Sequence, residues 1–213
     1  MQPYQRRFIE FAIHSGALRF GRFRLKSGRI SPYFFNIGLF DSGEKLRQLG
    51  SYYAETLENA PLTWDMLYGP AYKGIPLVCT TAIALAADYG KDYPYAFNRK
   101  EAKQHGEGGI IVGAPLQGRV LIVDDVITAG TSIRESVDII RKAGATPCGV
   151  VIALDREERL DNGISAITAV EREYGMPVLA IVTMSHVIAY LEETGRFRDQ
   201  LASIQSYRRA FGA

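Results

Sequence analysis

The chain has 213 residues, 47% of them apolar and 23% charged, with a formal net charge of +2. This suits a soluble globular protein with a substantial buried core, built as one large domain or as a domain with a small appendage. The small net charge argues against bulk nucleic-acid binding, though it leaves room for a local basic patch, and no apolar run approaches the ~20 residues of a membrane span.

In chain order, MQPYQRRFIEFAIHSG lacks a signal-peptide core and predicts an amphipathic helix over about 3–14. Residues 17–38 alternate short strand-like pieces with Gly, Ser and Pro, and a helix follows at about 43–59 with Leu46, Leu49, Tyr53 and Leu57 near one face. From residue 60 the pattern becomes strand, helix, strand: strands at 64–69, 93–97, 119–125, 146–154 and 177–182, and helices at 75–87, 131–142 and 163–174. Further helices close the chain. Cys79 and Cys148 stand far apart in apolar surroundings without metal-ligand spacing, as expected of small buried residues in a reducing compartment. Together these features predict a cytoplasmic protein.

Short apolar strands alternating with helices predict an α/β fold with a mostly parallel central sheet covered on both faces. Ligands of such sheets bind beyond the carboxyl ends of the strands, so the loops after Tyr68, Phe97, Val123 and Leu154 are the places to inspect.

After Val123 the chain runs Asp124, Asp125, Val126, Ile127, Thr128, Ala129, Gly130, Thr131, Ser132 into a helix. Free N–H groups at a helix start bind anions, Gly130 allows close approach, and the hydroxyls of Thr128, Thr131 and Ser132 add donors. Adjacent carboxylates repel and prefer a cation or hydroxyl donors, which a ribose beside a phosphate and Mg²⁺ would supply. Asp-Asp alone is equally compatible with an ordinary strand-to-helix turn capped by Thr131 or Ser132. The loop Gly69-Pro-Ala-Tyr-Lys-Gly74 places Lys73 at a helix start, where the dipole disfavours a cation unless an anion sits nearby. Alone, Lys73 also fits a solvated surface lysine. The segment 99–109 carries Arg99, Lys100, Lys103 and His105 and then glycines at 106, 108 and 109, with little to bury. It is either a solvated loop or a cationic lid that closes over a developing anion.

The full string from Val120 to Ser132 resembles the PRPP-binding signature of the type I phosphoribosyltransferases. In that family the acidic pair holds the ribose hydroxyls, the loop holds the 5-phosphate, and one acid can assist proton transfer; the resemblance puts these roles on Asp124, Asp125 and residues 126–132. It assigns Lys73, with the backbone at Ala71 and Tyr72, to pyrophosphate, in a loop that in the family often carries a cis peptide, which sequence alone does not show. The 99–109 segment resembles the lid of orotate phosphoribosyltransferases. That likeness implies that Arg99 binds PRPP, that Lys100, Lys103 and His105 act across a homodimer interface in the neighbouring site, and that Lys103 and His105 serve catalysis. Finally, Leu25-Lys-Ser-Gly-Arg-Ile-Ser-Pro-Tyr-Phe-Phe-Asn36, with Arg156, resembles the orotate-binding hood of the same family. It implies that Phe34 and Phe35 border the pyrimidine, that Lys26 and Arg156 meet its polar edge and carboxylate, and that Thr128 also borders the base. Singly, Lys26 and Arg156 fit solvent-facing cations and the two phenylalanines fit core packing.

The resemblance covers essentially the whole chain. It implies a hood over residues 1–60, a catalytic core over 61–213, PRPP and orotate as substrates, no nucleic-acid or membrane partner, and Mg²⁺ held mainly by PRPP, with at most water-mediated contact to Asp124 or Asp125. Two other readings stay open at this stage: a purine phosphoribosyltransferase, and a non-enzymatic PRPP sensor that binds nucleic acid.

Overall fold

A computed structural model describes residues 1–25, 28–103, 109–160 and 163–213, with backbone only at 102 and 103. Lys26, His105 and the side chain of Lys103 therefore lie outside the described residues. Helix α1 (Pro3–His14) leads into an antiparallel hairpin of β1 (Leu18–Arg24) and β2 (Ile30–Phe35), and α2 (Gly43–Glu58) follows. The rest is β3 (Met66–Gly69), α3 (Gly74–Tyr89), β4 (Tyr95–Lys103), β5 (Gly109–Gly113), β6 (Arg119–Val123), α4 (Thr131–Lys142), β7 (Thr146–Asp155), α5 (Ala166–Tyr174), β8 (Val178–Thr183), α6 (Met184–Thr194) and α7 (Arg198–Phe211).

Six strands form the main sheet in the order β5-β4-β3-β6-β7-β8, all pairs parallel except β4–β5. Parallel neighbours need a crossover connection, and helices provide it between β3 and β4, β6 and β7, and β7 and β8. The period of two along each strand divides the core. Leu67, Leu121, Val123 and Val151 pack on one face with residues of α1, α2, α3 and α6, including Phe8, Tyr53, Leu77 and Val187. Met66, Tyr68, Val120, Ile122, Val150 and Ile152 pack on the other with Ile133, Val137 and Ile140 of α4. Leu18 and Tyr33 of the hairpin belong to the first cluster, so the hood shares the core of the main sheet.

Helix ends follow local chemistry: the hydroxyls of Ser42, Ser165 and Thr183 cap α2, α5 and α6, and left-handed Gly90, Gly175 and Gly195 stop α3, α5 and α6. Among the described residues no helix is long and apolar enough to cross a membrane.

The structure departs from the sequence expectation at the lid. Its first half is not a loop: Arg99 and Lys100 lie on β4, which continues to Lys103 and pairs with β5 at Ala96–Gly113, Phe97–Val112, Asn98–Ile111 and Lys103–Gly109. β5 escapes a sequence reading because Gly-Ile-Ile-Val-Gly is a half-buried edge segment of only five residues. Its backbone pairing stabilises it, and pairing leaves no periodic trace.

Candidate active site

β6 ends at Val123, and the next two residues are still held by the neighbouring strand: the Asp124 N–H donates to the Val151 carbonyl at 3.0 Å, and the Ala153 N–H donates to the Asp125 carbonyl at 2.9 Å. From the opposite side the buried Tyr53 hydroxyl of α2 donates to the Asp124 carbonyl at 2.8 Å. This backbone fixation holds two carboxylates where a solvated loop would let them separate. Asp124 and Asp125 are 5% and 8% exposed and are the only carboxylates in the buried class among the described residues.

Both are supplied with donors. Asp124 Oδ1 accepts the Asp125 N–H at 2.9 Å and Oδ2 accepts the Ser132 hydroxyl at 2.9 Å. Asp125 Oδ1 accepts the Val126 N–H at 2.9 Å, and its Oδ2 takes the Lys73 ammonium at 2.6 Å. Burial, then the Asp125 charge, pushes the Asp124 carboxyl up to about 6.

The anion that explains a cation at the start of α3 is, in this structure, Asp125, and the contact joins the loop after β3 to the loop after β6. The Lys73 side chain is 57% exposed, so its head can also meet a ligand from solvent. The turn that delivers it is tight. A Cβ on Gly69 would lie 2.2 Å from the Gly74 carbonyl oxygen, and one on Gly74 would lie 2.5 Å from Pro70 Cδ. The Ala71–Tyr72 peptide is cis. The Ala71 N–H donates to the Asn98 side-chain oxygen at 2.8 Å, tying this loop to β4, and Tyr72 is exposed.

Between the acidic pair and α4 the loop alternates anchors and open positions. The Val126 and Ile127 side chains pack into the two opposite cores, so only their backbone is left to meet a ligand. Thr128, Ala129, Thr131 and Ser132 are exposed, Gly130 is left-handed, and no side chain caps the first turn of α4. An uncapped helix start beneath exposed hydroxyls suits an anion. The Ser132 hydroxyl, at the exposed start of α4, donates to Asp124 Oδ2 at 2.9 Å and so links the loop to the acidic pair.

Arg156 stands beyond the carboxyl end of β7, at the same edge of the sheet. Its Nε and Nη2 donate to Glu158 Oε1 at 3.1 and 2.7 Å, and its guanidinium lies 5.1 Å from the centre of the Tyr33 ring. It is therefore neither solvent-facing nor isolated. Phe34 and Phe35 do not share a face: Phe35 packs on the core, while Phe34 stacks on Phe23 with ring centres 5.6 Å apart, as strand alternation requires. Lys100 is exposed on β4 beyond Asn98 and Arg99.

Sequence reasoning missed Tyr53, Tyr33, Glu158 and Asn98. Tyr53 is legible only as a core position of α2, and its bond to the Asp124 carbonyl spans 71 residues. Tyr33 reaches Glu158 across 125 residues and Asn98 reaches Ala71 across 27, while Glu158 also meets Arg156 only two residues away.

The residues present fit a divalent cation that arrives with phosphate oxygens. Asp124 and Asp125 would hold it directly or through water, because Mg²⁺ commonly takes one or two carboxylates together with substrate phosphates and water.

A model of the phosphoribosyl transferase domain matches residues 39–173. The chain is 62% identical over 212 residues to an orotate phosphoribosyltransferase of Methylococcus capsulatus, covering all of this chain and 99% of that one. It is 59% identical to one of Klebsiella pneumoniae, with both chains fully covered. Its fold superposes on the crystal structure of an orotate phosphoribosyltransferase from Francisella tularensis with a TM-score of 0.88 and 42% identity, over 97% of this chain and 100% of that one. With the acidic pair, the uncapped start of α4 and the lysine turn assembled at one edge of the sheet, the chain belongs to the phosphoribosyltransferases, in the orotate phosphoribosyltransferase family.

Proposed function

We propose that this protein transfers the 5-phosphoribosyl group of PRPP to orotate, giving orotidine 5-phosphate and pyrophosphate, the step that commits a free pyrimidine to the nucleotide pool. The observation that carries this reading is the buried Asp124–Asp125 pair, bonded to Lys73 of the neighbouring loop and followed by the open start of α4. The ribose hydroxyls meet the acidic pair, the 5-phosphate meets residues 126–132, and Lys73 turns from Asp125 to the leaving pyrophosphate. Mg²⁺, carried by PRPP, supplies charge neutralisation on the phosphate oxygens.

The orotate ring nitrogen bonds to C1 of the ribose as the bond from C1 to the pyrophosphate oxygen breaks. No protein nucleophile is needed, so catalysis rests on positioning and on cations aimed at the leaving group. Arg99, Lys100, Lys103 and His105 are those cations, on a lid over about 99–109 that begins on the β4–β5 hairpin. Lys26, Phe34, Phe35, Thr128 and Arg156 define the base site, residues 1–60 contributing the hood and 61–213 the core. The active unit is a homodimer with the lid serving the neighbouring site. Tyr72, Ile83, Tyr89 and Tyr95, large apolar side chains left exposed on and around α3, support an interface there. The protein acts in the cytoplasm, in keeping with its two unpaired cysteines.

The test is the loss of orotate ultraviolet absorbance on mixing protein, PRPP, Mg²⁺ and orotate, with pyrophosphate released in equal amount. Absence of PRPP-dependent loss, with turnover of hypoxanthine or adenine instead, would refute the choice of base.

A further inference from the structure

We infer that Tyr33 and Glu158 are positioning residues that set substrate selectivity by holding the Arg156 guanidinium ready for a carboxylate. The inference rests on the proposed role of Arg156 toward orotate. Glu158 Oε1 accepts three donors: the Tyr33 hydroxyl at 2.7 Å, Arg156 Nε at 3.1 Å and Arg156 Nη2 at 2.7 Å. Glu158 thus grips one edge of the guanidinium while the Tyr33 ring supports its face at 5.1 Å. Among the described residues nothing bonds Nη1, so the far edge of the fork remains for a ligand. Arginine presents its donors as a rigid planar fork, so fixing one edge fixes the direction of the other.

Both halves of the clamp are anchored. Tyr33 is 1% exposed, is met edge-on by Tyr207 with ring centres 6.1 Å apart, and belongs to the core. Burial raises its hydroxyl well above the ordinary phenol range, so it keeps its proton and donates. Glu158 pairs with Gly212, and the next residue, Arg159, donates its N–H to the Phe211 carbonyl at 2.9 Å. The intervening Glu157 is left-handed, at φ 51, and its carboxylate takes the Ser185 N–H at 2.7 Å and hydroxyl at 2.6 Å. The direction of Arg156 is therefore written by the hood on one side and by the α6 and α7 ends on the other. A neutral pyrimidine without a carboxylate gains nothing from this arrangement, whereas an anionic one gains a preoriented partner.

The experiment is steady-state kinetics of the full-length enzyme with varied orotate and varied PRPP, for Glu158→Ala, Glu158→Gln, Tyr33→Phe and Arg156→Gln. Glu158→Ala should raise the KM for orotate about tenfold, the scale of one charged hydrogen bond lost from a half-buried group, and leave the KM for PRPP unchanged. Glu158→Gln, which keeps an acceptor, should recover part of that loss, and Tyr33→Phe should give a smaller rise of the same selective kind. Should Glu158→Ala fold poorly, the near-isosteric Tyr33→Phe decides. A parallel rise in both Michaelis constants, or an orotate KM that stays constant or falls in folded Glu158→Gln and Tyr33→Phe, would overturn the inference. If Arg156→Gln raises the orotate KM while those two do not, the clamp alone fails. If Arg156→Gln also leaves it unchanged, the proposed role of Arg156 fails with it.

Discussion

Asp124→Asn isolates the energetic cost of the buried acidic pair. Burial and the adjacent Asp125 move the Asp124 carboxyl from an ordinary 3.8 to about 6 in the folded protein. Between those values the folded state holds a proton that the unfolded chain has lost. Stability therefore falls as pH rises through this window, and the whole cost is present above it. About two pH units at ~1.4 kcal/mol each amount to about 3 kcal/mol. Asparagine carries no charge and still accepts the Asp125 N–H, while its amide can donate to the Ser132 hydroxyl. Asp124→Asn should therefore be more stable than the parent at pH 7.5 by about 2–3 kcal/mol, which for a chain of this size corresponds to ~4–12 °C in Tm. It should lose nearly all transferase activity. Urea unfolding of ligand-free protein across pH 4 to 8 measures the gap, which should close toward the acidic end. A gap that is absent at pH 7.5, or constant with pH, would refute the argument. The same titration predicts weaker PRPP binding by the parent as pH falls below about 6, because ribose hydroxyls and a cation favour the ionised carboxylate.

Lys73→Ala should raise the KM for PRPP and lower kcat. Because the lysine is more than half exposed, its pair with Asp125 should add only ~0–1 kcal/mol to stability, so a large Tm loss with unchanged kinetics would assign it a structural role. Gly69→Ala should destabilise by about 1–3 kcal/mol in urea unfolding, since its Cβ would meet the Gly74 carbonyl at 2.2 Å; an unchanged midpoint would mean that the turn can relax. Lys103→Ala should lower kcat far more than it weakens PRPP binding; comparing kcat with a PRPP titration checks this, and the reverse pattern would reject a lid role.

The amino-acid sequence by itself determined the parts that depend on local order. Apolar runs of strand length alternating with helical spacing dictated a mostly parallel sheet, and the run Val120–Val123 followed by Asp-Asp marked the loop after Val123 as a place for a ligand, although the strand itself was expected to reach residue 125 and ends at Val123. Gly69, Pro70 and Gly74 marked a tight turn by residue type, and Gly130 marked the start of α4; that no Cβ fits at Gly69 and Gly74 is a property of the folded turn. Tertiary structure decided whatever depends on partners remote in the chain. β5 forms by pairing with β4, which no periodicity announces. Asp125 answers Lys73 across 52 residues, Tyr53 fixes the Asp124 backbone across 71, and Tyr33 reaches Glu158 across 125. Strand alternation already puts the adjacent Phe34 and Phe35 on opposite faces, but only the packing of the hairpin decides that Phe35 meets the core while Phe34 stacks on Phe23. Propensity and spacing act over a few residues, whereas burial and hydrogen-bond satisfaction act on whatever folding brings within reach; this is why the motifs were legible in advance and the network that orients them was not.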